Sequence, residues 1–317
     1  MRPFFNSRYF VNTSVWFYWT NVSTLIKALR SSIYVFYLSR IYNKNLFLPG
    51  SYLKQWSCNV DTVIIYGGSY NLIEHAELSL DKCSGSILTL AINTSAMAGL
   101  PVDIAFWELW NKTPVSNWFD DAYVSTGRFT RYTSKCRLIV LTRIFPSLLS
   151  SKFLNLDQSN ILFSIERSLH VNKFLTSRLS ALKQITKYLD SRIESVFWFY
   201  FLPTLRGSLI RAIMFALKIR PKKIIICGMS QGKQSLHWFD RNDRHPHLKD
   251  YSEIYSNYYN PRHNPHRTNI SALGRWTVNS ILPLFSSNDH GVELYVATLS
   301  GLVRLDQNFN PSVLDPF

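Results

Sequence analysis

From residue 60 onward, short apolar runs rich in Val, Ile and Leu alternate with longer stretches in which apolar residues recur at helical spacing. That alternation predicts strands joined by crossover helices in a mostly parallel sheet. Strands are expected at Thr62–Tyr66, Ile87–Ile92, 102–107, Leu138–Thr142 and Lys223–Cys227, with a sixth over 292–297. A helix is expected after the first strand. Another is expected over 172–193, where Phe174, Leu175, Leu179, Leu182, Ile185 and Leu189 share one helical face. A further helix over 208–218 feeds directly into the Lys223 strand. The expected fold is therefore α/β: a Rossmann-like, mostly parallel twisted sheet with helices on both faces.

Two segments break the pattern. Residues 231–267 are polar and aromatic, with Pro246, Pro261 and Pro265, and are too long for an ordinary connection, so they are expected to form a lid. Residues 1–60 carry seven Lys or Arg and no acidic residue, interleaved with Phe4, Phe5, Tyr9, Phe10, Trp16, Phe17, Tyr18 and Trp19. Aromatic rings settle at headgroup depth while cations meet anionic lipid, so this composition predicts a membrane-proximal extension. Asn12, Asn21, Lys27 and Arg30 interrupt it before any apolar run reaches the length of a spanning helix. A secretory signal is a poor match, and the chain is expected on the cytoplasmic side, peripheral to the inner face of a membrane. The expected organisation is an extension over 1–60, one nucleotide-binding catalytic domain over 61–310 with its lid at 231–267, and a tail over 311–317.

The 317 residues and 46% hydrophobic content suffice for one large core, which excludes a chain that is mainly disordered. Four cysteines, at 58, 83, 136 and 227, stand singly and fit neither a zinc ribbon nor a disulfide scaffold. A net charge of +15 calls for anionic partners such as lipid headgroups, nucleic acid or an anionic ligand. The aromatics lie mostly in apolar runs and no RNA-binding signature is present, so nucleic acid is set aside as the partner.

Three places carry candidate chemistry. The first strand ends in Gly67-Gly68-Ser69, where the backbone turns tightly and the next helix offers free N–H groups to a phosphate. The second strand closes in Ile92-Asn93, and an Asn at the carboxyl end of a sheet strand can hydrogen-bond a base or sugar edge. Five of the eight histidines, at 237, 245, 247, 263 and 266, fall within thirty residues. Their spacing matches no zinc motif, so a single histidine acting as general base is the better reading. No Asp-x-Asp occurs, and a transferase built this way would neutralise its leaving group with protein side chains in place of a divalent metal.

In order along residues 60 to 310, these segments resemble glycosyltransferase family 42, bacterial sialyltransferases that decorate lipooligosaccharide from CMP-sialic acid. The resemblance rests on Val63-Ile64-Ile65-Tyr66-Gly67-Gly68-Ser69, on Ile92-Asn93, and on Arg206-Gly207-Ser208 followed by an apolar helix and Lys223-Ile224-Ile225-Ile226-Cys227-Gly228. His266-Arg267-Thr268-Asn269-Ile270-Ser271-Ala272-Leu273 and the strand at Val292-Glu293-Leu294-Tyr295 complete it. The first turn departs from the family, with Gly68-Ser69-Tyr70 in place of Asn-Gly-Pro. The resemblance implies a GT-A-like variant of the fold and an inverting, metal-independent transfer of sialic acid or a related acidic sugar. The donor would be a CMP-sugar, the acceptor a glycan or glycolipid hydroxyl, with no cofactor and room for a homo-oligomer. It implies a nucleotide site at Gly67, Gly68, Ser69, Asn93, Gly207, Ser208 and Gly228, phosphate contacts from Tyr258 and Tyr259, and His266 or its competitor His263 as base. The alternatives are a pterin diphosphokinase-like or other nucleotide-dependent transferase, which would need clustered carboxylates for Mg²⁺, and a basic nucleic-acid-binding protein.

Overall fold

The computed structural model describes residues 59–108, 134–142, 161–168, 201–204, 207–229, 291–306 and 308–310, together with Trp56, Arg131, Phe285, Val313 and Leu314. Nine strands form one sheet: β1 (Thr62–Tyr66), β2 (Ile87–Ile92), β3 (Ile104–Glu108), β4 (Leu138–Thr142), β5 (Ile161–Ser168), β6 (Phe201–Thr204), β7 (Lys223–Cys227), β8 (Glu293–Thr298) and β9 (Gly301–Arg304). Among the described residues two α-helices accompany them, α1 (Leu72–Asp81) after β1 and α2 (Gly207–Ile219) before β7.

The spatial order is β6-β5-β4-β3-β2-β1-β7-β8-β9. Every pairing is parallel except β8 with β9. Strands β1 to β6 therefore march outward in one direction, and the chain returns through α2 to lay β7 against the free side of β1. The reversal makes the β1/β7 seam a topological switch point, where the ends of two strands open a crevice in sheets of this kind.

Side chains alternate across a strand, so β1 sends Val63 and Ile65 to one face and Ile64 and Tyr66 to the other. Val63 and Ile65 join Leu88, Leu90, Ile224 and Ile226 in a core closed by Ile210, Ile213, Met214 and Leu217 of α2. Phe106 and Phe215 meet there edge to face, with ring centroids 5.1 Å apart. On the opposite face α1 buries Leu72, His75, Ala76 and Ser79, a helical stripe at spacings of three and four. Ser79 Oγ lies 3.3 Å from Cys227 Sγ of β7. Helices thus cover both faces of a mostly parallel, Rossmann-like α/β sheet. Trp56, Phe285, Leu305 and Leu314 enter the core on the α2 side, so residues flanking the expected domain limits also pack against it.

At the amino end of the sheet Asp61 acts as a latch, accepting from Lys222 Nζ at 2.7 Å and from the Ser86 amide at 3.1 Å. The hydrogen bond from Lys222 holds the Asp61 carboxyl below the usual carboxylate range. These links tie the segments that precede β1, β2 and β7 to one another at the amino end of the sheet.

The expected strands β1, β2, β4 and β7 form with the bounds read from the sequence, whereas β3, β8 and α2 shift by one or two residues. Strands β5, β6 and β9 were not expected. β5 carries Ser164, Glu166 and Arg167, which break the apolar run; β6 is four residues long with Pro203, tolerable because β6 is an edge strand. β9 is the short return arm of a hairpin. The expected helix over 172–193 and the expected lid over 231–267 lie outside the described residues. Among the described residues, no helix is long and apolar enough to cross a membrane.

Candidate functional site

The carboxyl ends of β1 and β7 are fastened to one another by their backbones. The Gly67 N–H donates to the Cys227 carbonyl at 2.8 Å, and the Ser69 N–H donates to the Gly228 carbonyl at 3.2 Å. A Cβ placed on Gly67 would stand 2.6 Å from the Gly228 carbonyl oxygen and 3.1 Å from that of Cys227. Gly228 has φ +70°, a left-handed conformation that glycine adopts without steric cost, and a Cβ there would approach Leu72 Cδ1 at 3.1 Å. The two glycines are thus required by close approach at one position and by backbone conformation at the other.

The end of β2 joins this seam through Ser95. Its hydroxyl accepts from the Ile92 N–H at 2.8 Å and lies 2.8 Å from the Tyr66 carbonyl, to which it can donate. The short 3₁₀ turn Asn93–Met97 that holds Ser95 begins with Asn93 at φ +52°, a left-handed conformation that Asn tolerates better than most side chains. So poised, Asn93 donates from Nδ2 to Ser208 Oγ at 3.4 Å, reaching the first turn of α2. Gly207 and Ser208 open that helix, whose first amides are left unpaired by the helix itself and carry the positive end of its dipole.

Gly67, Gly68, Ser69, Asn93, Gly207, Ser208 and Gly228 therefore all lie at the carboxyl ends of β1, β2 and β7 or at the amino end of α2. Direct links join Gly67 to the β7 turn and Asn93 to Ser208. Tyr258, Tyr259, His263 and His266 lie outside the described residues.

Three residues of this end escaped the sequence reading. Ser95 ties β1 to β2, and its only signal was a serine three positions after a strand end. His75 is buried on α1 and accepts the Gly228 N–H at Nδ1, 3.2 Å away. Tyr66 closes β1 with a fully buried ring. Among the described residues, neither the Tyr66 hydroxyl nor Ser69 Oγ, both buried, has a hydrogen-bond partner, and burial pushes the Tyr66 phenol well above its ordinary pKa.

Cys227 is no nucleophile. Burial pushes its thiol up to about 12, so it stays protonated and packs against Ser79. Among the described residues, no group of three or more His, Cys, Asp or Glu side chains is arranged to hold a metal ion. What the arrangement offers is a strand-end surface of backbone, small side chains, one amide and the start of a helix. Such a surface suits a flat, polar, anionic ligand that the main chain can approach closely.

No family model and no curated protein matches the chain. Among solved structures it is similar to a Tyr-to-Phe variant of the sialyltransferase CST-II in complex with CMP, with a TM-score of 0.38 and 12% identity over 79% of this chain and 89% of that one. It is also similar to a Phe-to-Tyr variant of the α-2,3/8-sialyltransferase CstII, with a TM-score of 0.32 and 12% identity over 78% of this chain and 90% of that one.

Proposed function

We propose that this chain is an inverting, metal-independent glycosyltransferase that moves sialic acid or a related acidic sugar from a CMP donor to a glycan or glycolipid hydroxyl. The observation that carries the reading is the switch-point crevice, in which Gly67 and Gly228 bring two backbones together while Asn93 reaches Ser208. The motif resemblance along residues 60 to 310 supports the same assignment. In this reading the amides and the Asn93 carboxamide hold the nucleoside, and the acceptor oxygen attacks the anomeric carbon as the bond to the CMP phosphate oxygen breaks. His266 takes the hydroxyl proton, and Tyr258 and Tyr259 donate to the departing phosphate.

Thermal unfolding in the presence of CMP, CDP, UDP, GDP and ATP, with and without Mg²⁺, tests it. A ligand that binds only the folded state stabilises it by about 2.7 kcal/mol at a hundred times its Kd. CMP is expected to raise Tm without Mg²⁺ and the purine nucleotides are not; a response confined to ATP with Mg²⁺ would favour a phosphotransferase. Asn93→Ala removes one side-chain partner and should weaken CMP about tenfold, as expected for one net hydrogen bond of about 1.4 kcal/mol. Unchanged affinity in that variant would take Asn93 out of the site.

The same reading places the enzyme at the cytoplasmic face of a membrane, with the basic, aromatic segment 1–60 on anionic lipid. Deleting residues 1–50, which spares the buried Trp56, is expected to reduce sedimentation with anionic liposomes while CMP binding persists. Liposome binding that ignores both the deletion and added salt would refute the surface assignment.

A further inference from the structure

From the geometry behind Gly228 we infer that His75 is a positioning residue of the crevice, acting through the backbone and not by touching the ligand. The inference rests on the nucleotide reading for its functional half. His75 lies on the inner face of α1, 1% exposed, and its Nδ1 accepts the Gly228 N–H at 3.2 Å across 153 residues of sequence. An imidazole nitrogen that accepts carries no proton, so His75 is held as the tautomer bearing hydrogen on Nε2.

Gly228 is the turn on which the crevice depends. Its φ of +70° is reached just after β7, and its carbonyl accepts the Ser69 N–H. With its amide fixed by His75 and its carbonyl by Ser69, the peptide groups on both sides of this glycine are held, and the β1 and β7 turns keep their close approach. Glycine left without the first of these restraints has more accessible conformations than any other residue. His75 thereby supplies from the rear of the helix the rigidity that a backbone-lined site requires. A hydrophobic side chain of similar size would fill the space but leave the Gly228 amide buried and unpaired.

Two readouts on three variants test this: amide exchange at Gly228 relative to Ile225 in the middle of β7, and equilibrium binding of CMP. His75→Leu is expected to speed exchange at Gly228 about tenfold more than at Ile225 and to weaken CMP about tenfold, the loss of one net hydrogen bond. In His75→Asn the Oδ1 atom takes the place of Nδ1, and both protection and affinity should return to within about threefold of wild type. In His75→Gln the oxygen falls where Nε2 stands, and neither should return. The inference is overturned if Gly228 stays as protected in His75→Leu as in wild type, or if Gln rescues as well as Asn, since a space-filling role would not separate those two. Failure of the wild-type chain to bind CMP would instead defeat the nucleotide reading, and the exchange pattern alone would then decide the role of His75.

Discussion

Gly67→Ala is expected to cost about 3 kcal/mol or more of folding stability and to abolish CMP binding at concentrations that saturate the wild type. The added methyl would lie 2.6 Å from one backbone carbonyl oxygen and 3.1 Å from another, and neither can rotate away as a side chain could. Relief requires the β1 and β7 turns to separate, which breaks the 2.8 Å bond from Gly67 to Cys227 and loosens the 3.2 Å bond from Ser69 to Gly228. Overpacking of this kind costs about 1 to 3 kcal/mol and each lost hydrogen bond about 1 kcal/mol more. Gly99→Ala is the control: Gly99 has φ +79° with nothing within 4 Å of the added carbon, so only the backbone strain of about 1 kcal/mol remains. Urea unfolding of both variants, with CMP titration of each, separates space from conformation. Should Gly67→Ala match Gly99→Ala in stability and bind CMP as the wild type does, the close approach at the switch point is not what builds the site.

The central strands were legible because their burial on both faces leaves no polar position to blur the pattern. Thr62–Tyr66 and Lys223–Cys227 are almost entirely apolar, and each ends at a glycine. The outer strands were not, and the reason lies in their position. Toward an edge a strand can carry Ser164, Glu166 and Arg167, or a proline, and the β-pattern dissolves. The same contrast runs through the site. The positions of Gly67, Gly228 and Asn93 at the carboxyl ends of strands were readable because strand ends in an α/β sheet converge on one edge, whichever neighbours they have. His75 was not, because it resembles any half-apolar residue on an amphipathic helix until β7 is known to lie beside β1. That adjacency is made by the return through α2 and leaves no local mark in the chain.

His266→Ala is expected to lower sugar transfer by about 10² to 10⁴ while CMP still binds, the usual loss when a general base is removed from proton transfer. The expectation is drawn from spacing along the chain. His266 stands seven residues before Leu273 and His263 ten before it, and the resembled family sets its catalytic histidine slightly further from that leucine than His266 is. An imidazole is the suitable base because its pKa lies near working pH, so it is unprotonated when the acceptor hydroxyl must lose its proton. In the proposed reading Asn93 and the backbone turns at Gly67 and Gly228 hold the nucleoside, so the chemical step alone should suffer. In kinetic terms kcat should fall with the CMP affinity unchanged, whereas loss of a donor contact such as Asn93 would appear in donor affinity first. His263→Ala should retain most activity. An exchange of the two outcomes would move the base to His263, and full activity in both variants would sink the sialyltransferase-like mechanism for this chain.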